Sequence, residues 1–108
     1  MLPKKNRAGK KELETVFKTG KLLTFPNSTF RFILNNDFNT PRISFIVPKS
    51  VSKKAVDRNA LRRHGYNALR KYIHQFPAGL VGAFIFKKDQ EDISILENEI
   101  KNILNKIN

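Results

Sequence analysis

Residues 42–86 read RISFIVPKSVSKKAVDRNALRRHGYNALRKYIHQFPAGLVGAFIF. The run opens on a strand-like segment, Arg42–Val47, rich in β-formers and stopped by Pro48. A basic loop follows at 49–55, and then a helical stretch at 56–75. Pro77-Ala78-Gly79 ends the helix. Leu80–Phe86 (LVGAFIF) is an almost wholly apolar run of strand length, the pattern of a central strand buried on both faces. A strand, a helix and a second strand in this order predict a crossover, and base rates make it right-handed if the two strands are parallel neighbours.

The helix at 56–75 has two distinct faces. At 100° per residue, Leu61, Gly65, Ala68, Leu69, Tyr72 and Phe76 fall on one side. Asn59, Arg62, Arg63, Tyr66 and Arg70 fall on a second side. Gly65 lies in the packed stripe at a cost of about 1 kcal/mol relative to Ala, which predicts a close approach of helix to sheet. From Lys49 to Lys71 there are eight basic side chains (Lys49, Lys53, Lys54, Arg58, Arg62, Arg63, Arg70, Lys71) and one acid, Asp57. Positive charge this dense on a rigid helix is the footprint of a phosphate-binding surface.

Working outward, residues 10–19 predict a short helix through Leu13, Val16 and Phe17, with Glu12 and Glu14 near its positive end and Gly20 as its stop. Lys21–Phe25 predicts a short strand closed by Pro26-Asn27. Ser28–Leu34 predicts a second, with Phe30, Phe32 and Leu34 on one face and Arg31 and Ile33 on the other. Asn35-Asn36-Asp37 and Asn39-Thr40-Pro41 predict a hairpin connection. Asp89–Asp92 predicts a polar turn with Asp92 as N-cap. Residues 93–107 predict a final amphipathic helix through Ile93, Leu96, Ile100, Ile103, Leu104 and Ile107. The order α-β-β-β-α-β-α implies an α+β chain built as a two-layer α/β sandwich around a mixed sheet.

The chain of 108 residues makes one domain, 1–108, with the first six or so residues expected to be flexible. Its net charge of +12 attracts polyanions. No stretch approaches the roughly 18 apolar residues of a spanning helix. Zero Cys removes disulfides, thiolate zinc sites and Cys nucleophiles, and fits a cytoplasmic chain. His64 and His74 stand ten residues apart on one predicted helix, so they share no metal. Asp89, Glu91 and Asp92 match no Ca²⁺-loop spacing. With no nucleophile elbow and no glycine-rich phosphate loop, the residues predict no self-contained catalytic site.

The segment Lys53-Lys54-Ala55-Val56-Asp57-Arg58-Asn59-Ala60-Leu61-Arg62-Arg63 resembles the signature of the bacterial ribonuclease P protein subunit: Ser-Lys-Lys, a short spacer, then Ala-Val-x-Arg-Asn-Arg-x-Lys-Arg. Glu14-Thr15-Val16-Phe17-Lys18-Thr19-Gly20 is similar to that family's first helix, which ends Val-Phe-Lys-x-Gly. Phe30–Leu34 and Arg42–Val47 resemble two of its strands. The chain departs from the pattern at Ala60, where the family has Arg, at Arg62, where it has Lys, and at Gly65, Tyr66 and Asn67.

The resemblance implies a ribosomal-protein-S5-like sandwich whose crossover is left-handed, against the base rate. It implies a subunit of an endoribonuclease in which a large RNA is the catalyst and removes the 5′ leader of precursor tRNA with Mg²⁺ bound by the RNA. The partners implied are that catalytic RNA and precursor tRNA, with no membrane and no small-molecule substrate. RNA-binding residues are then Lys49, Ser52, Lys53, Lys54, Arg58, Asn59, Arg62, Arg63, Tyr66 and Arg70. The leader lies in a cleft of Leu13, Phe17, Arg31 and Ile33 between the first helix and the sheet. A small ribosomal protein and a general RNA chaperone or nucleoid protein share the size and charge, and are the alternatives.

Overall fold

Period-two alternation divides every strand of this chain between two faces, and the two faces are covered unequally. In the computed structural model, which describes residues 4–35, 39–89 and 92–107, the elements run α1 (Lys10–Thr19), β1 (Lys21–Thr24), β2 (Ser28–Leu34), β3 (Arg42–Ile46), α2 (Ala55–Arg70), β4 (Leu80–Phe86) and α3 (Ile93–Ile107). Short 3₁₀ turns occupy Lys4–Asn6 and Ile73–Gln75. The sheet order is β1-β2-β4-β3. β4 pairs antiparallel with β2 and parallel with β3.

That order corrects one expectation. β2 and β3 are not a hairpin, because β4 lies between them. The hairpin is β1-β2, turning at Phe25-Pro26-Asn27, with the Phe25 N–H donating to the Ser28 carbonyl over 2.8 Å. Turn-forming residues at 35–41 end a strand equally well when the chain crosses over, and strand order is set by long-range pairing rather than by local turn chemistry. Asn36 and Asp37 lie outside the described residues.

On one face, Phe30 and Phe32 of β2, Ile43 and Phe45 of β3, and Phe84 and Phe86 of β4 meet Leu61, Leu69 and Ile73 from the α2 side and Leu96, Ile100 and Ile103 of α3. The rings pack closely, Phe45 and Phe84 lying 4.8 Å apart between centroids. Leu34, expected on this face, is at the end of its strand and stands exposed. α2 stops at Arg70 instead of continuing to residue 75. The Tyr72 N–H donates to the Leu69 carbonyl, and a 3₁₀ turn follows. In a 3₁₀ turn residues i and i+3 eclipse, which brings both Ile73 and Phe76 into the core.

α3 is capped as expected, the Ser94 N–H donating to Asp92 Oδ1 over 2.8 Å. Glu99, 4% exposed on α3, holds the β1-β2 turn. Its carboxylate accepts from the Asn27 N–H (3.1 Å), from Asn27 Nδ2 (2.7 Å) and from the Ser28 hydroxyl. A buried carboxylate is tolerable because it is bonded on several sides.

The expected close approach at Gly65 is present. A Cβ there would sit 2.5 Å from Phe45 Cδ1. Phe45 cannot move aside, being packed by Tyr66, Phe84 and Phe86. Gly65→Ala should therefore destabilise the fold by about 1–3 kcal/mol through overpacking, opposite in sign to the gain of about 1 kcal/mol that helix propensity alone gives. A lowered urea midpoint at unchanged slope is the expected result.

Candidate nucleic-acid interface

The second face of the sheet carries three cross-strand rows, read from the strand register. Ile33, Val81 and Arg42 form one; Leu22, Arg31, Ala83 and Ser44 form the next; Thr24, Thr29, Ile85 and Ile46 form the third. α1 lies over the first two rows, with Val16 buried against Val81 and Ala83. Arg31 Nη1 donates to the Phe17 carbonyl over 3.3 Å, and Glu12 Oε2 pairs with Arg42 Nη1 at 3.0 Å. The third row is left half-covered. Beside it α1 presents Leu13, half-buried, and Phe17, 42% exposed. The result is a cleft with a sheet floor of mixed Thr and Ile, an aromatic wall and an arginine.

The chain leading into α1 runs along the outer edge of β3. Residues 4–6, expected to be flexible, form a turn tied down from β3's side. Thr40 Oγ1 donates to the Lys5 carbonyl (3.2 Å), Asn6 Nδ2 to the Pro41 carbonyl (3.0 Å) and Ser44 Oγ to the Ala8 carbonyl (2.8 Å). Between this segment and α2 is a groove of about 420 Å³ lined by Arg7, Val56, Asn59, Arg62, Arg63 and Tyr66. A second hollow of about 370 Å³ shares Arg7 and Tyr66 with it and reaches Ala8, Gly9 and Ser44. The two together run from the basic face of α2 to the residues just before α1 and to Ser44 of β3. The Arg62 guanidinium donates to Asn59 Oδ1, which fixes the fork at the groove wall.

A model of the Ribonuclease P family matches residues 2–108. The chain belongs to this family. It is 33% identical over 89 residues to the ribonuclease P protein component of Finegoldia magna, covering 82% of this chain and 76% of that protein. With the corresponding protein of Prochlorococcus marinus it shares 46% identity over 50 residues, 41% of this chain and 39% of that one. Its fold matches the RNase P protein from Thermotoga maritima with a TM-score of 0.81 at 23% identity, covering 94% of this chain and 97% of that one. It also matches Staphylococcus aureus RNase P protein with a TM-score of 0.77 at 14% identity, covering 93% and 92%. Ribonuclease P is a tRNA-processing ribonuclease, and its protein components act as parts of a ribonucleoprotein.

The residues expected to form the ribonuclease P RNA surface fall into three groups. Asn59, Arg62 and Arg63 line the groove together. Lys49, Lys53, Lys54 and Arg70 are exposed around it, the lysines on the loop before α2 and Arg70 at its far end. Arg58 and Ser52 are engaged inside the protein: Arg58 Nη1 donates to the carbonyls of Ser52 (3.0 Å) and Lys53 (2.7 Å). The Val51 N–H also donates to the Pro48 carbonyl (3.0 Å), and the Val51 side chain packs on the core. The basic loop is therefore a fixed platform for its lysines, with Arg58 as its internal brace.

Tyr66, expected among the RNA-binding residues, is 7% exposed. Its ring meets Phe45 edge-on at 4.9 Å, and its hydroxyl accepts the Phe45 N–H over 3.3 Å. β3 is an edge strand, so this bond covers one of its unpaired amides, while the ring walls both hollows. The Gly65-Tyr66 departure is thus a paired seat for Phe45. Of the four residues expected to form the leader cleft, Leu13, Phe17 and Arg31 lie together beside the half-covered row. Ile33 packs under α1 and lines hollows on its other flank with Thr15 and Thr19. Sequence reasoning missed Arg7, for which the basic character of residues 1–21 was the available signal. Among the described residues no three His, Asp or Glu side chains converge as a metal site.

Two outcomes check this geometry. Phe17→Ala should leave stability within about 0.5 kcal/mol of the parent, whereas Val16→Ala should cost about 1–2 kcal/mol of buried hydrophobic contact, both read by chemical unfolding. Arg58→Ala should speed amide hydrogen exchange in residues 50–54 while leaving the middle of α2 protected.

Proposed function

We propose that this chain binds the catalytic RNA of ribonuclease P through the α2 face and the 49–54 loop, and holds the 5′ leader of precursor tRNA in the cleft beside α1. The observation that carries the reading is the presence of two unlike surfaces on one small fold: a groove of arginines between α2 and the N-terminal segment, and a half-covered sheet face flanked by Phe17. Arginine forks neutralise closely spaced phosphates, pair with them bidentately and release counterions. A leader of variable sequence needs contacts that tolerate any base. An exposed aromatic ring beside a positive groove supplies stacking without hydrogen-bond readout. Arg31, tethered at the Phe17 carbonyl, brings a positive charge to the cleft.

On this reading the chain performs no bond chemistry of its own. Mg²⁺ is held by the RNA and supplies the hydrolytic chemistry there. The protein lowers the ion requirement by screening phosphates where the leader meets the catalytic RNA. Its place of work is the cytoplasm, where precursor tRNA is processed.

The test is cleavage of a 5′-leader precursor tRNA at low Mg²⁺ by the cognate catalytic RNA, with and without the protein, across a monovalent salt series. Strong stimulation that fades as salt rises is expected. Arg62→Ala should weaken catalytic-RNA binding by about tenfold, and Phe17→Ala should weaken precursor with a leader while sparing leaderless tRNA. No stimulation, together with tight binding to ribosomal RNA, would move the chain to a ribosomal role.

A further inference from the structure

Arg7 lies outside α2, yet it lines both hollows of the groove. Its backbone is pinned on either side. Lys5 and Ala8 each accept a side-chain hydrogen bond through their carbonyls, and the Gly9 N–H donates to Glu12 Oε1 over 2.7 Å. The guanidinium therefore springs from a fixed point rather than from a loose tail. Its Nε is buried and has no hydrogen-bond partner among the described residues. A buried donor on a cation is costly to leave unpaired. No carboxylate among the described residues lines either hollow. Arg62 and Arg63 stand around the same space, and three guanidinium groups at one groove repel unless they share an anion.

We propose that Arg7 is a phosphate ligand for RNA, and that a phosphodiester seated between Arg7 and Arg62 joins the α2 surface to the cleft beside α1. The planar fork of Arg matches a phosphate's two free oxygens. The inference rests on the RNA-binding reading above and adds to it a residue outside the α2 stripe. The phosphate belongs either to the catalytic RNA or to the leader, since the two hollows reach from α2 to the residues that lead into α1.

The experiment uses the full chain with Arg7→Ala and Arg7→Lys; Arg7→Met, which keeps the aliphatic stem, replaces Arg7→Ala if that variant unfolds. Lys106→Ala on α3, at the opposite side of the sheet, is the charge control. Each variant is titrated against the catalytic RNA over a salt series. Each holoenzyme is then titrated against precursor tRNA with and without its leader.

Arg7→Ala should weaken one of these affinities by about tenfold. It should also reduce the log–log salt slope by about 0.7–0.9. Arg7→Lys should restore the slope and part of the affinity, because the charge returns without the fork. A loss in the catalytic-RNA titration assigns the phosphate to that RNA, and a loss confined to leader-bearing substrate assigns it to the leader. Unchanged affinity and slope in both titrations, or a lowered melting temperature with the parent slope, overturns the role of Arg7 while the proposed function stands. A parent chain that binds neither RNA removes both.

Discussion

Everything on the basic side of this molecule depends on the absence of one side chain. Phe45 occupies the space that a β-carbon at residue 65 would fill, and this lets α2 lie directly on β3. The residue after the glycine, Tyr66, then closes over the same ring and covers the strand's outer amide. With α2 fixed at that height, Asn59, Arg62 and Arg63 reach the rim of β3 and face the N-terminal segment. The groove is therefore a product of core packing, and its arginines owe their convergence to two buried aromatics.

The second organising fact is that β4 is apolar on both sides. Phe84 and Phe86 belong to the main core, while Val81 and Ala83 meet Val16 beneath α1. α1 spans ten residues, about 15 Å at the helical rise. It covers two cross-strand rows and leaves the third, where small and β-branched residues give a shallow floor. An uncovered apolar-polar row beside an exposed aromatic is costly as a surface and useful as a binding face.

The elements were legible in the sequence because each carries its own period: the strands 28–34 and 80–86 and the helix 93–107 are found where alternation and the 3.6-residue rhythm place them. The Gly65 contact was legible too, since a glycine in a packed stripe has few other reasons to be there. What local pattern does not encode is partnership. The turn residues at 35–41 suggested a hairpin, whereas β2 waits for β4 some fifty residues later. The helical wheel put Tyr66 among the cations, but a ring at the border of two stripes goes where an apolar partner lies. The wheel does not say what Arg58 touches; its partners are carbonyls of the preceding loop. Arg7 belongs to no periodic element, so its place beside α2 follows only from the tertiary path of the chain.

The insertion of β4 between β2 and β3 has a consequence for synthesis. As the chain leaves the ribosome, β2 follows its partner β1 directly, but β3 has no strand to join until residue 80 and beyond have emerged. Non-local pairing of this kind delays folding. The parts of the groove thus exist early as separate basic peptide, and the groove itself comes into being only when β4 has joined the sheet. A nascent copy therefore carries its positive charge before it carries the groove that gives the charge a shape, and that shape begins with the closing of the sheet.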